Sequence, residues 1–277
     1  MPHAPIVSAN GAAIPAIGLG TWPMRGDECS RAVAEALRIG YRHVDTAAMY
    51  GNEAEVGEGL RASGVPRDEI FVTTKVWWED IAPGRLERSA EASLTKLALD
   101  AVDLLLIHWP SPHVPPEESV PALCRAKELG LARHVGISNH PTALMRRALA
   151  VATQPLVANQ CEYHPGLDQT AVLAACRSAG MAFVSYSPIG KGEMLAHPTI
   201  TDLASRYRKT PAQIVLRWHV QQPGVVAIPK SANPRRIAEN IDLFDFALAA
   251  EEMAALHGLA KADGRLISPA GFAPAWD

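Results

Sequence analysis

No stretch of this 277-residue chain approaches the roughly 20 consecutive apolar residues a membrane-crossing helix needs, so no membrane partner is expected. The opening MPHAPIVSANG lacks the basic flank and apolar centre of a secretory leader, which makes the cytoplasm the expected compartment. Four cysteines, Cys29, Cys124, Cys161 and Cys176, stand far apart without CxxC spacing. They signal neither zinc nor a redox dithiol and read as reduced, small, buried apolar residues. No other metal-ligand cluster is visible, so no metal is expected. An excess of one charge is also missing: 26 Lys and Arg against 29 Asp and Glu leave a net charge of -3, which argues against nucleic acid as a partner. Nor does a Pro/Gly/Ser-rich linker or low-complexity tract divide the chain, so residues 1–277 are expected to form one domain.

What is present suits a soluble globular protein, with 48% hydrophobic and 20% charged residues and a mean hydropathy of +0.01. The length fits two ordinary domains or one α/β barrel of about 250 residues. IVSANGAAIP is two short β-prone runs joined at Asn10-Gly11, a hairpin signal. Eight strand-like runs follow, at 16–20, 42–47, 70–75, 102–107, 134–138, 156–160, 182–186 and 225–228. Each precedes a helical pattern, at 27–39, 52–62, 84–98, 117–129, 141–152, 168–179, 199–221 (broken at Pro211) and 234–241. The strands are near-continuous apolar runs, as in parallel sheets buried on both faces. The expected fold is α/β, a single (β/α)8 TIM barrel with an N-terminal β-hairpin, a last helix at 250–258 and a C-terminal tail at 264–277.

The chain is organised around GYRHVDTAAMYGNEAEVGEGL, residues 40–60, where a buried strand runs into Asp45 and, past Tyr50, into a helix with Val56 and Leu60 on one face. Further polar residues close the later strands: Lys75, His108, Ser138 with Asn139, Gln160, Tyr186 with Ser187, and Lys230 with Ser231. In a parallel barrel these ends converge on the face where such barrels carry out catalysis. Each alone has a plainer explanation, a solvated lysine or a hydrogen-bonded core histidine, but their recurrence along successive strands does not.

GYRHVDTAAMYGNEAEVG, TTKVWW, LLLIHWP, VGISN, NQCEYHP, SYSPIG and IPKSANPRRIAEN, in this order, resemble the signature blocks of the aldo-keto reductase family over nearly the whole chain. The tail GRLISPAGFAPAWD is most similar to the bacterial 2,5-diketo-D-gluconate reductase B branch, and the resemblance implies that it lies over the catalytic face. The resemblance implies a catalytic tetrad of Asp45, Tyr50, Lys75 and His108 that reduces aldehydes and ketones with NADPH. Tyr50 would be the proton donor. A tyrosine with a pKa of about 10 is a poor acid at neutral pH, so Lys75 beside it is expected to lower that value. Asp45 would hold the lysine, and His108 would orient the carbonyl.

GLG at 18–20 lacks the third glycine of a Rossmann fingerprint, so a dinucleotide must be held in another way. By resemblance, Ser138, Asn139 and Gln160 would bind the nicotinamide carboxamide and Tyr186 would stack on the ring. Gly20, Thr21, Ser187, Ile189 and Gly190 would line the cofactor run, with Glu239 and Asn240 meeting the adenine. Lys230, Ser231 and an arginine before a helix start suit a 2′-phosphate; Arg236 matches the family's phosphate contact, which favours NADPH over NADH. Trp22, Trp77 and Trp109 would wall the substrate pocket, and Trp78, facing away from its neighbour on an extended segment, has the weaker claim.

The implied substrates are small-molecule carbonyls: α-dicarbonyls such as methylglyoxal, keto sugars such as 2,5-diketo-D-gluconate, keto esters and aromatic aldehydes. A monomer or a weak homodimer is expected. Two other readings stay open, a nucleotide-sensing regulatory or binding subunit on the same barrel, and an unrelated phosphate-binding barrel isomerase.

Overall fold

The computed structural model describes residues 4–277. An antiparallel hairpin of β1 (Ile6–Ala9) and β2 (Ala12–Pro15) turns at Asn10 and Gly11, both at positive φ, as the Asn-Gly pair predicts. There follow β3 (Leu19–Gly20), α1 (Gly26–Arg38), β4 (His43–Asp45), α2 (Glu53–Ser63), β5 (Phe71–Val76), α3 (Arg85–Leu97), β6 (Val102–Ile107) and α4 (Pro116–Glu128). The second half continues with β7 (Ala132–Ser138), α5 (Thr142–Val151), β8 (Leu156–Glu162), α6 (Thr170–Ser178), β9 (Ala182–Tyr186), α7 (Pro198–Tyr207), α8 (Pro211–Val220), β10 (Val225–Ala227), α9 (Pro234–Ile241) and α10 (Ala250–His257).

The strands β3 to β10 pair in parallel in sequence order, and the sheet closes on itself. Gly18 N donates to Ala227 O, Gly20 N to Pro229 O, and parallel bridges join Ile17 to Ala227 and Gly20 to Lys230. A Cβ at Gly20 would lie 2.7 Å from the Ile228 carbonyl oxygen, so only glycine lets this seam close. The result is the expected (β/α)8 barrel.

Two apolar cores divide the work. One lies between strands and helices; α1, for example, turns Cys29, Val33, Ala36 and Leu37 inward. The other fills the barrel, where Phe71, Leu104, Leu106, Ala158, Val184, Val226 and Ile228 meet Ala9, Ala12 and Ile14 of the hairpin. Asn10 Nδ2 donates to Leu156 O and Ala179 O, which fixes the hairpin under the barrel at the entrances to β8 and β9.

Strand pleating converts this interior packing into a site. Side chains alternate along a strand, so 104 and 106 inside put His108 on the same side at the mouth, 158 does so for Gln160, 182 and 184 for Tyr186, and 226 and 228 for Lys230. The chemistry thus stands in phase with the barrel core.

Differences from expectation are local. The helix expected from 168 begins at Thr170 because the Asp168 carboxylate accepts from Thr170 N and Oγ1 before the first turn. Short 3-10 turns at Ala48–Tyr50, Arg67–Glu69, Trp78–Asp80 and Gly190–Gly192 leave too brief a pattern to read in sequence. Among the described residues no helix is long and apolar enough to cross a membrane.

Burial pushes the His43 and His140 imidazoles down to about 4 and His219 to about 3. An unfolded histidine titrates near 6.5, so below that pH the unfolded chain takes up protons that the fold refuses. Stability is therefore expected to be full above pH 6.5 and to fall from there toward pH 4, each histidine contributing up to about 1.4 kcal/mol per pH unit. Urea unfolding at pH 7.5, 6 and 5 measures this; an unchanged midpoint would refute it.

Candidate active site

Lys75 is wholly buried at the end of β5 and has three partners. Its Nζ donates to Asp45 Oδ1 at 2.5 Å, to Thr46 O at 2.8 Å and to Tyr50 Oη at 3.2 Å. Adjacent parallel strands supply the pair, since β4 and β5 align Asp45 beside Thr73, two residues before Lys75. Burial works against the ammonium, but Asp45 and Tyr50 outweigh it and hold the lysine above its ordinary range. Asp45 is fixed from its other side, where Gln160 Nε2 donates to Oδ2 at 2.8 Å.

Tyr50 sits in the 3-10 turn between Thr46 and Asn52, which form a bracket. Thr46 Oγ1 donates to Asn52 Oδ1 at 2.8 Å, and Asn52 Nδ2 donates to Thr21 O and Met24 O, tying the loop to the one after β3. Gly51 caps the turn at φ 65, where a Cβ would lie 2.9 Å from the Arg25 guanidinium. The expected lowering of the Tyr50 pKa is not the net result. Burial raises it, and Lys75 offsets only part of that rise. The phenol therefore stays protonated at neutral pH.

His108 follows β6, its ring 5.5 Å from that of Tyr50 and edge-on to it. Burial, then the charge of Lys75, holds it well below the usual histidine range, so it is neutral. Its Nδ1 is buried without a hydrogen-bond partner among the described residues. Carrying the proton on Nε2 avoids burying an unpaired N–H there and leaves a donor on the other side of the ring.

The residues expected to read a carboxamide are tied to one another. Ser138 Oγ donates to Gln160 O, Asn139 Nδ2 donates to His108 O and Ser138 Oγ, and Tyr186 Oη donates to Asn139 Oδ1 at 2.8 Å. Asn139 is held at φ 61, a conformation asparagine tolerates. Gln160 donates one amide N–H to Asp45, and its amide oxygen remains for an outside group. Thr21 is buried with its hydroxyl on Asp45 O, and Gly20 lies in the barrel seam. After β9, Ser187, Gly190, Lys191 and Gly192 all take positive φ, and Ile189 N-caps the 3-10 turn.

Across the mouth, Asn233 caps α9, its Oδ1 accepting from Arg236 N, with Pro234 in the first turn. Ser231 Oγ accepts from Asn233 N, Lys230 is exposed, and Asn240 is buried. Arg235 pairs with Glu239, whereas the Arg236 guanidinium has no partner among the described residues.

Aromatic rings wall the opening. Trp22, half exposed, lies 5.2 Å from Tyr50, and Trp77 lies 5.3 Å from His108. The tail brings in Phe272, whose ring is 5.4 Å from Trp77, 5.1 Å from Trp78 and 5.5 Å from Trp109, and Trp276, 6.0 Å from Trp109. Trp78, given the weaker claim, begins a 3-10 turn that breaks the extended alternation, and its ring stacks on Phe272.

The profile of the aldo/keto reductase family matches residues 16–261. The chain belongs to this family. This aldo-keto reductase is 42% identical over 267 residues to methylglyoxal reductase DkgB of Salmonella typhimurium, covering 95% of this chain and 99% of that protein. It superposes with a TM-score of 0.97 on a protein provisionally named 2,5-diketo-D-gluconic acid reductase B, at 48% identity over 99% of this chain and 98% of that one. An aldo-keto reductase of Bombyx mori, solved in complex with NADP, gives a TM-score of 0.87 at 39% identity over 94% of each chain.

The fold brings Asp45, Tyr50, Lys75 and His108 together, with Trp22, Trp77 and Trp109 around them. Sequence reading did not single out Thr46, Asn52, Phe272 or Trp276. The aromatics in the Pro/Gly-rich stretch PAGFAPAW were a usable signal. The Thr46–Asn52 bracket had none beyond its flanking position.

Lys75→Met keeps the volume but leaves the Asp45 charge buried without its cation, and should cost about 3–5 kcal/mol of stability by urea unfolding. Adding Asp45→Asn should return much of that loss. No recovery would place the cost in packing rather than in the stranded charge.

Proposed function

We propose that this aldo-keto reductase reduces aldehydes and ketones to alcohols with NADPH, Tyr50 acting as proton donor within a single barrel domain. The observation that carries this reading is the contact of a buried, charged Lys75 with both Asp45 and a protonated Tyr50, beside a neutral His108. Hydride addition builds negative charge on a carbonyl oxygen, and such a group of a proton donor, a cation and a hydrogen-bond donor answers it.

Chemical fit supports the cofactor. Arg236, without an internal partner, and exposed Lys230 stand at a capped helix start, a donor set suited to a phosphate. Gln160 retains an amide oxygen for a carboxamide, and the half-buried ring of Tyr186, its hydroxyl fixed on Asn139, suits a flat heterocycle. Glu239, engaged by Arg235, and Asn240 would meet the adenine side. When bound, the nicotinamide supplies the hydride to the carbonyl carbon.

His108 Nε2–H orients and polarises the carbonyl oxygen. Tyr50 delivers its proton there as charge develops. The raised pKa keeps that proton loaded at neutral pH, while Lys75, donating to the phenolic oxygen, balances the phenolate left behind. Asp45, gripped by Gln160, keeps Lys75 charged and aimed. On this reading the substrates are small-molecule carbonyls: methylglyoxal and other α-dicarbonyls, keto sugars such as 2,5-diketo-D-gluconate, keto esters and aromatic aldehydes.

Tyr50→Phe should lower NADPH-dependent turnover of methylglyoxal by roughly 10²–10⁴-fold and leave NADPH affinity within about twofold. Full activity in this variant would sink the assignment. Arg236→Ala should weaken NADPH by about tenfold or more and NADH hardly at all, since one charge-assisted contact is lost. Fluorescence titration with both dinucleotides decides it, and equal weakening would move the phosphate contact elsewhere.

A further inference from the structure

Glu162 ends β8 two residues beyond Gln160, on the same side of the strand, and is fully buried. No step of the chemistry above uses it. Its carboxylate is satisfied mainly by the tail: Oε1 accepts from Leu266 N at 2.8 Å and Oε2 from Ile267 N at 3.0 Å. Arg265 Nη1 lies 3.8 Å from Oε2, and His164 Nε2 lies 3.2 Å from Oε1. The Arg265 guanidinium stacks 3.6 Å above the Trp276 ring, and Trp276 Nε1 donates to Ser268 Oγ at 3.1 Å.

We propose that Glu162 is a positioning residue for substrate selection, its carboxylate latching residues 265–267 so that Phe272 and Trp276 complete the apolar wall of the pocket. The carboxylate and the tail need each other. A buried charge without donors is costly; apart from His164 beside it on the barrel, the groups that answer it, two backbone N–H donors and the nearby charge of Arg265, come from the tail. The tail end is also hydrogen-bonded through the Asp277 carboxylate, which accepts from Thr142 N and Oγ1, but that contact is exposed and open to water. The Phe272 ring pairs with three tryptophans and, among the described residues, with neither Tyr50 nor His108, so the latch governs which substituent the pocket accepts and leaves the proton path alone. It favours carbonyls bearing an aromatic or bulky apolar group over methylglyoxal, which is too small to need the far wall.

This rests on the reductase reading, and the test separates the two. Glu162→Gln keeps the shape but replaces one acceptor with an NH2 group facing a backbone N–H. In the cofactor-free protein, hydrogen exchange of peptides covering 265–276 should accelerate about tenfold or more, with barrel peptides unchanged. With NADPH, KM for benzaldehyde should rise about tenfold, KM for methylglyoxal less than about threefold, and kcat for each should hold within about threefold. On a Phe272→Ala background Glu162→Gln should add no further KM change for benzaldehyde. Leu266→Pro, which removes one tail donor and leaves the barrel untouched, should give the same pattern if Glu162→Gln does not fold. Unchanged tail exchange, or an equal KM change for both substrates, overturns the latch. A wild-type chain without turnover counts against the reductase reading alone, since the exchange result still decides the latch.

Discussion

A charged pair buried at the mouth of the barrel, Lys75 against Asp45, is the constraint to which the rest of the structure answers. Taking an ammonium and a carboxylate out of water is unfavourable unless geometry and extra hydrogen bonds compensate. Here they do: Thr46 O and Tyr50 Oη take the remaining lysine protons, and Gln160 satisfies the second carboxylate oxygen. Each of those groups reaches the pair from a different strand or turn. The pair therefore exists only when β4, β5 and β8 stand in register, and a barrel that closes correctly creates its own reactive centre.

The same arithmetic explains why the chemistry is legible from sequence. A pleated strand alternates its side chains, so once its interior residues are known the side chain at its end is placed as well. Apolar runs ending in Asp45, Lys75, His108, Gln160 and Tyr186 could be recognised one strand at a time, because each depends only on local periodicity. The glycines of the seam fit this picture, Gly20 leaving room for the Ile228 carbonyl.

What escaped the sequence was set by contacts distant along the chain or by a balance of opposed effects. Glu162 meets the tail across 104 residues, and nothing in NQCEYHP says that a backbone amide near position 266 will satisfy it. Trp78 meets Phe272 from a 3-10 turn that interrupts the extended chain there, which residue alternation alone cannot foresee. For Tyr50 both contributions were visible, desolvation and a neighbouring lysine, yet only packing decides that burial outweighs the charge. The lysine is close enough to favour the phenolate but not to produce it at rest, which suits the proton-donor role proposed for Tyr50.

β8 then has a double role that follows from its pleat. Gln160 and Glu162 lie one pleat apart, roughly 6.6 Å along the strand, on the same face. The first grips Asp45 and so stiffens the buried Lys75–Asp45 pair; the second grips the tail that carries Phe272 and Trp276. A shift of the whole strand would disturb both. A change in the tail disturbs only the wall, because no tail residue touches Lys75, Asp45 or Tyr50 through the hydrogen bonds that hold them. Under the proposed latch, residues 264–277 can thus reshape the pocket wall without disturbing the hydrogen bonds around Lys75, Asp45 and Tyr50.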